Sequence, residues 1–125
     1  MEKAKANGLN PVVLAFVGDA VYSLFVRERL TFMSDGKAGE LNKLAVKEVK
    51  ASAQAEFITE LLPLLTEEET AVFKRARNAK KTTRAKSASV AEYNLSTGFE
   101  AVLGYLYLTG NEERLDFILN KGITQ

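Results

Sequence analysis

The stretch VVLAFVGDAVYSLFV, residues 12–26, decides the fold class, because its apolar residues recur at the spacing of an α-helix. Asn10 and Pro11 stand directly before it, in the usual order of a capping residue and a first helical residue. Asp19 is the only charge in the stretch. Burying an ionised carboxylate is costly unless a partner or a ligand binds it. The isolated acid is therefore a candidate functional residue on a helix.

A second stretch near the other end of the chain has the same character. NLSTGFEAVLGYLYLTGN, residues 94–111, also has a helical pattern, and Glu100 is its only charge. Two acids isolated in this way favour a shared site. The alternative is structural: each acid accepts a hydrogen bond or pairs with a buried arginine such as Arg27 or Arg77. The residue pattern alone leaves both interpretations open.

The helical neighbours of both acids are mostly small, which predicts room for a cation, its waters and a substrate oxygen. These small residues are Ala15, Gly18, Ser23, Ser96, Thr97 and Gly104. Mg²⁺ takes one or two protein carboxylates and keeps several waters. Such an ion activates water and stabilises charge on a phosphate, so the chemistry needs no histidine.

Composition narrows the class of protein. The chain has 125 residues, 46% of them apolar, which predicts one globular domain spanning residues 1–125. It has neither cysteine nor histidine, so disulfides, thiolate metal sites and histidine general bases are excluded. No signal peptide or membrane span is recognisable, and a cytoplasmic protein is expected.

The rest of the sequence is helical in pattern, and we predict an all-α fold with five to seven helices. Residues 38–62 form a long amphipathic segment ended by Pro63. Thr66 and Glu69 form a capping box that opens a helix ending near Asn78. Residues 80–89 are a polar connection, residues 96–109 a helix, and Asn111 caps the last helix.

Charge is concentrated in what we call the basic block, residues 74–86. It holds seven cations and no acid, which leaves ten cations against all 16 acids elsewhere. A basic segment on an acidic body suits a polyanion and favours nucleic acid over a merely solvated helix end and loop. The candidate RNA contacts are Arg75, Arg77, Asn78, Lys80, Lys81, Arg84 and Lys86.

Both acidic stretches resemble a known family. NPVVLAFVGDAVYSLFVRE, residues 10–28, is similar to the signature helix of the ribonuclease III endonuclease domain, with Val17-Gly18-Asp19-Ala20 where the family has a Leu-Gly-Asp-Ser type of motif. STGFEAVLGYLYL, residues 96–108, resembles the second acidic helix of that family. The position of RARNAKK, residues 75–81, the small size and the missing double-stranded-RNA-binding domain resemble the Mini-III subgroup.

The resemblance implies a homodimeric, Mg²⁺-dependent endoribonuclease, with Mn²⁺ as a plausible substitute, that cuts double-stranded RNA. In bacteria the Mini-III subgroup trims precursor 23S ribosomal RNA. Asp19 and Glu100 match the metal-binding, catalytic acids of the family. Full-size members also have a glutamate where this chain has Ala15 and an aspartate where it has Thr97. The lack of an RNA-binding domain implies weak, salt-sensitive binding, so a ribosomal protein that presents the substrate is a candidate partner.

Two other classes of function remain open on the sequence. One is a non-catalytic RNA-binding or ribosome-associated module on the same helical scaffold. The other is a helical protein-interaction domain, in which RNA binding would be insensitive to neutralising Arg75, Arg77, Lys80 and Lys81. A cleavage assay on duplex RNA with Mg²⁺ separates the enzyme from both.

Overall fold

The protein is helical throughout the residues that its computed structural model describes, which are 1–33, 36–49, 51–81 and 89–123. Those residues contain no strand, and the predicted all-α fold is confirmed. In chain order the elements are α1 (Lys3–Asn7), α2 (Pro11–Met33), α3 (Ala38–Val49), α4 (Ala51–Leu61), a 3₁₀ turn (Leu62–Leu64), α5 (Glu67–Asn78), α6 (Val90–Leu108) and α7 (Glu112–Ile123).

The helix starts follow local capping chemistry. The backbone N–H of Val12 donates to the side chain of Asn10 at 2.9 Å where α2 begins. At the start of α5, the N–H of Glu69 donates to the Thr66 hydroxyl and the N–H of Thr66 donates to the Glu69 carboxylate, at 3.1 and 3.0 Å. Each bond satisfies an N–H group that the helix itself cannot pair. Both predicted starts are confirmed.

Helix α6 begins earlier than the predicted residue 96. Ser89 and Glu92 form a second capping box, in which each backbone N–H donates to the other side chain at 3.1 Å. The pattern of a serine followed three residues later by a glutamate was present in the sequence and marks this start. The additional turns extend the helix that carries Glu100 toward the basic block.

The two described parts of the amphipathic segment 38–62, α3 and α4, have different packing partners. Ala45 of α3 lies in a small cluster with Val26 and Leu30 of α2. Ile58 and Leu61 of α4 are buried in the main core, where α4 packs on α6. Both parts of the segment are helical and bury apolar residues, as the predicted amphipathic pattern requires; residue 50, between them, lies outside the described residues.

Helix α6 is the centre of the fold. Helices α1, α2, α4, α5 and α7 all contact it. The ring of Phe99 on α6 packs edge-on against Tyr22 of α2 and Phe57 of α4, with centroids 5.4 and 5.5 Å apart. Between positions 96 and 106 every residue except Glu100 is buried. Within the described part of the chain, no helix is both long and apolar enough to cross a membrane.

Candidate active site

Two glycines bring helices α2 and α6 into direct backbone contact. A Cβ atom on Gly18 would lie 1.6 Å from the carbonyl oxygen of Glu100. A Cβ atom on Gly104 would lie 2.0 Å from the carbonyl oxygen of Leu14. Only glycine fits at either position, because any side chain would occupy the space of the opposite backbone. The expectation that these two small residues leave room for a cation was wrong, since the facing helix fills that room.

Both isolated acids stand at this crossing. Asp19 directly follows Gly18 on α2, and Glu100 lies one helical turn before Gly104 on α6. Asp19 is exposed, Glu100 is half-buried, and their carboxyl groups interact directly. The crossing therefore joins two residues that are 81 positions apart in the chain.

The electrostatics of the Asp19–Glu100 pair favour the binding of a positive charge. Burial raises the pKa of Glu100 to about 9, helped by the hydrogen bond and the negative charge of Asp19, while a hydrogen bond from Ser96 acts in the opposite direction. At neutral pH the Glu100 carboxyl therefore holds a proton and donates it in a hydrogen bond to Asp19. A cation placed between the two groups would relieve the repulsion and displace that proton.

An ion pair between Glu69 and Arg114 lies elsewhere among the described residues. Glu69 is 2% exposed. Arg114 donates two hydrogen bonds to the Glu69 carboxylate, from Nε and a terminal nitrogen, at 2.8 and 2.7 Å. Burial pushes the pKa of Glu69 upward, but the bonds from Arg114 and Thr66 outweigh it and hold the pKa low. Sequence reasoning recognised Glu69 only as a capping residue, because nothing local marks a partner 45 residues away.

Neither arginine considered as a structural partner for the acids is a cause of the Glu100 pKa shift. The causes are burial, Asp19 and Ser96. Arg77 instead lies over the ring of Phe73, 5.7 Å from its centroid. For Glu100, the described contacts thus favour a ligand-binding carboxyl group over one in a structural ion pair with either arginine.

The donor set suits a hard divalent cation. No group of three or more histidine, cysteine, aspartate or glutamate side chains in the described residues could hold a metal. Two carboxylates with an exposed side fit Mg²⁺ or Mn²⁺, which accept oxygen ligands; Mg²⁺ in particular needs only one or two carboxylates and keeps several waters. They do not fit a closed zinc site, which needs four protein ligands.

The structure describes five of the seven candidate RNA contacts. Arg75, Arg77 and Asn78 lie on α5, and Lys80 and Lys81 directly follow it. Arg84 and Lys86 lie outside the described residues. A role of these side chains in binding RNA stays a prediction.

Comparison with known proteins identifies the family. The ribonuclease III domain family matches residues 12–111, which include both acids and the basic block. The chain belongs to the ribonuclease III family. Within it, the Mini-ribonuclease 3 of Clostridium tetani is 48% identical over 89% of this chain and 74% of its own length. The Mini-ribonuclease 3 of Streptococcus pneumoniae is 46% identical over 91% of each chain.

A solved structure confirms the fold assignment. The crystal structure of a Fusobacterium nucleatum protein superposes on this chain with a TM-score of 0.84 at 32% identity, covering 94% of this chain and 93% of that one. Membership in the Mini-ribonuclease 3 group of the ribonuclease III family makes the chain an endoribonuclease. The predicted resemblance is confirmed.

Proposed function

We propose that the chain is a Mg²⁺-dependent endoribonuclease that hydrolyses phosphodiester bonds of double-stranded RNA through Asp19 and Glu100. The observation that supports this most is the direct contact of the two carboxyl groups at the α2–α6 crossing, where the pKa of Glu100 is raised to about 9. A carboxyl group whose pKa is raised by burial and by a neighbouring acid is typical of functional sites.

Neighbouring residues hold the two acids in place, and one of the acids is open to solvent. Gly18 and Gly104 fix the separation of the helices, and Ser96 holds Glu100 by a hydrogen bond. Asp19 presents its carboxylate to solvent, where a phosphate can approach. A bound Mg²⁺, or Mn²⁺ in its place, would supply an activated water and charge stabilisation at the phosphate.

We propose that the enzyme acts as a homodimer through the outer side of α2. Val13, Phe16 and Leu24 share that side, and their exposed fractions are 46%, 78% and 67%. Full burial of one such side chain contributes about 1.5–3 kcal/mol. A second copy related by a two-fold axis would cover the same residues on both subunits. Asp19 is one turn from Phe16, so the acid pair of each subunit would lie close to this interface.

The decisive experiment for the activity is the Asp19→Asn variant on a duplex RNA with Mg²⁺. We expect cleavage to be abolished while circular dichroism and the oligomeric state are unchanged, because the variant removes a charge but almost no volume. Asp116→Asn, the same change at an exposed acid on α7, is the matched control and should cleave normally. Normal cleavage by Asp19→Asn would refute the proposed active site.

The finer substrate assignment follows the subgroup that the sequence resembles. We propose that the enzyme matures precursor 23S ribosomal RNA in the cytoplasm, with a ribosomal protein presenting the RNA. The test compares cleavage of the precursor stem with that of an unrelated duplex of equal length, each with and without ribosomal proteins bound. Equal rates in all four reactions would contradict this assignment and leave the nuclease activity in place.

A further inference from the structure

The cations of the basic block that the structure describes make different kinds of contact. Arg75 and Arg77 both lie in the last turn of α5, and Lys80 and Lys81 lie beyond its end. A uniform electrostatic patch would have its charged groups directed to solvent. The charged groups of Arg75 and Lys81 instead donate to backbone carbonyl oxygens of the protein.

Arg75 fastens α1 to α5. One terminal nitrogen of its guanidinium donates to the backbone carbonyl of Asn7 at 2.9 Å, and the other donates to the Asn7 side-chain oxygen at 2.8 Å. The Asn7 amide in turn donates to the Tyr105 hydroxyl on α6 at 3.4 Å. Ala6, next to Asn7, is 0% exposed. The Arg75 guanidinium thus holds α1, the short first helix, against the core.

Lys81 caps the C-terminal end of α5. Its ammonium group donates to the carbonyl oxygens of Arg77 and Ala79 at 3.0 and 2.8 Å. Those carbonyls belong to the helix end that carries partial negative charge, and a cation there is stabilising. Burial lowers the pKa of the Lys81 ammonium. This charge is therefore already paired with a helix terminus inside the fold.

The side chains of Arg77, Asn78 and Lys80 differ from those of Arg75 and Lys81 in their contacts. The Nε of Arg77 donates to the side-chain oxygen of Asn78 at 3.1 Å, and its guanidinium lies over Phe73. That bond uses one of the five N–H groups of the guanidinium, and the terminal nitrogens carry the other four. Stacking and the bond to Asn78 hold the planar group in one orientation, which favours a forked contact to phosphate. Lys80 is exposed.

We propose that the basic block is divided: Arg77, with Asn78, and Lys80 bind the phosphates of the RNA, whereas Arg75 and Lys81 are fold residues that do not touch it. The proposal rests on the proposed function, because it takes RNA as the ligand. It divides the candidate RNA contacts that the structure describes into two groups.

The salt dependence of RNA binding separates the two groups. Binding to each phosphate releases condensed counterions, so the slope of log K against log salt falls in magnitude by about 0.9 for every phosphate that a variant no longer neutralises. Binding of a short RNA duplex is measured between about 50 and 200 mM KCl in the Asp19→Asn background, which prevents cleavage. We expect Arg77→Gln and Lys80→Gln each to reduce the slope by about this amount. Arg75→Gln and Lys81→Gln should leave it unchanged.

All four substitutions remove one positive charge, so they are matched controls for one another. Stability provides the second measurement. Arg75→Gln and Lys81→Gln should lower the unfolding temperature, whereas Lys80→Gln should not. Asn7→Ala removes the partner of Arg75 and keeps its charge, and we expect it to lower the unfolding temperature without changing the slope. The double variant Asn7→Ala/Arg75→Gln should be little less stable than either single variant.

The outcomes are distinguishable. Slopes reduced equally by all four substitutions, or reduced by Arg75→Gln and Lys81→Gln alone, would overturn the division. Additive losses of stability for Asn7 and Arg75 would overturn the fastening role. A parent variant that binds no duplex RNA even at low salt would refute the proposed function and this inference together.

Discussion

The α2–α6 crossing predicts that Gly18→Ala damages both the fold and the catalytic site. The added Cβ would lie 1.6 Å from the Glu100 carbonyl oxygen, and real Cβ atoms are essentially never found within 3.0 Å of such an atom. The helices must therefore separate by about 1.4 Å at the crossing. A gap of 0.5–1 Å already forfeits roughly a quarter to a half of the dispersion energy of the atoms that line it.

The two energetic effects of this substitution have opposite signs. Alanine is favoured over glycine within a helix by about 1 kcal/mol. Overpacking costs typically 1–3 kcal/mol and more where backbone must move. Because the clash here is with backbone of the central helix, we expect a net loss of about 3 kcal/mol, or roughly 10–15 °C in unfolding temperature for a domain of this size. Misplacement of the acids by about 1 Å is expected to slow cleavage about 100-fold below that temperature.

The assay is thermal unfolding combined with cleavage of a duplex RNA at a temperature where the variant is folded. Gly39→Ala is the matched control: Gly39 also lies in a helix, and a Cβ there would have nothing within 4 Å. It should stabilise the protein by up to about 1 kcal/mol and leave cleavage unchanged. A Gly18→Ala protein that unfolds and cleaves as the parent does would refute the reasoning.

Two further predictions concern the dimer and the acid pair. Phe16→Asp should convert the proposed dimer to monomers and reduce cleavage, as measured by light scattering and the duplex assay. Val90→Asp, at another exposed apolar residue, is the control and should change neither. A dimeric Phe16→Asp protein would contradict the proposed interface. In metal-free buffer, the unfolding free energy should fall as the pH rises from 4.5 to about 9, because folded Glu100 keeps a proton that the unfolded chain loses near pH 4.5. The slope is at most about 1.4 kcal/mol per pH unit. Urea unfolding at several pH values measures it, and Glu100→Gln should remove it. Parallel plots of unfolding free energy against pH for the two proteins would contradict the raised pKa.

The acids and the helix ends could be predicted from the sequence because their signals are local. Asp19 and Glu100 are conspicuous as single charges in apolar helices, and the capping box of Thr66 and Glu69 is a pattern of four residues. The start of α6 at Ser89 was missed although the same kind of pattern marks it. Local signals of this type determine which helices form and where they begin.

Interactions between distant residues could not be predicted in the same way. The sequence shows that Gly18 and Gly104 are small, but not that each faces the backbone of the other helix. It shows that Arg75 belongs to a cationic cluster, but Asn7, which binds it, is 68 residues away. In both cases the meaning of the residue depends on which element packs beside it, and a single sequence without relatives does not contain that information.

Under the function and the division of the basic block that we propose, the contact between the backbones of α2 and α6 separates the reacting acids from the residues that hold the RNA. Since the spacing of the two acids depends on a glycine pair in the middle of the molecule, substitutions around Arg77 and Lys80, at the end of α5, can change which duplexes are held without altering the reacting groups. Evolution and engineering can therefore redirect the enzyme to other RNA duplexes through its periphery. Under the proposed metal-dependent mechanism, variants obtained in this way should all share one metal requirement and one response to pH.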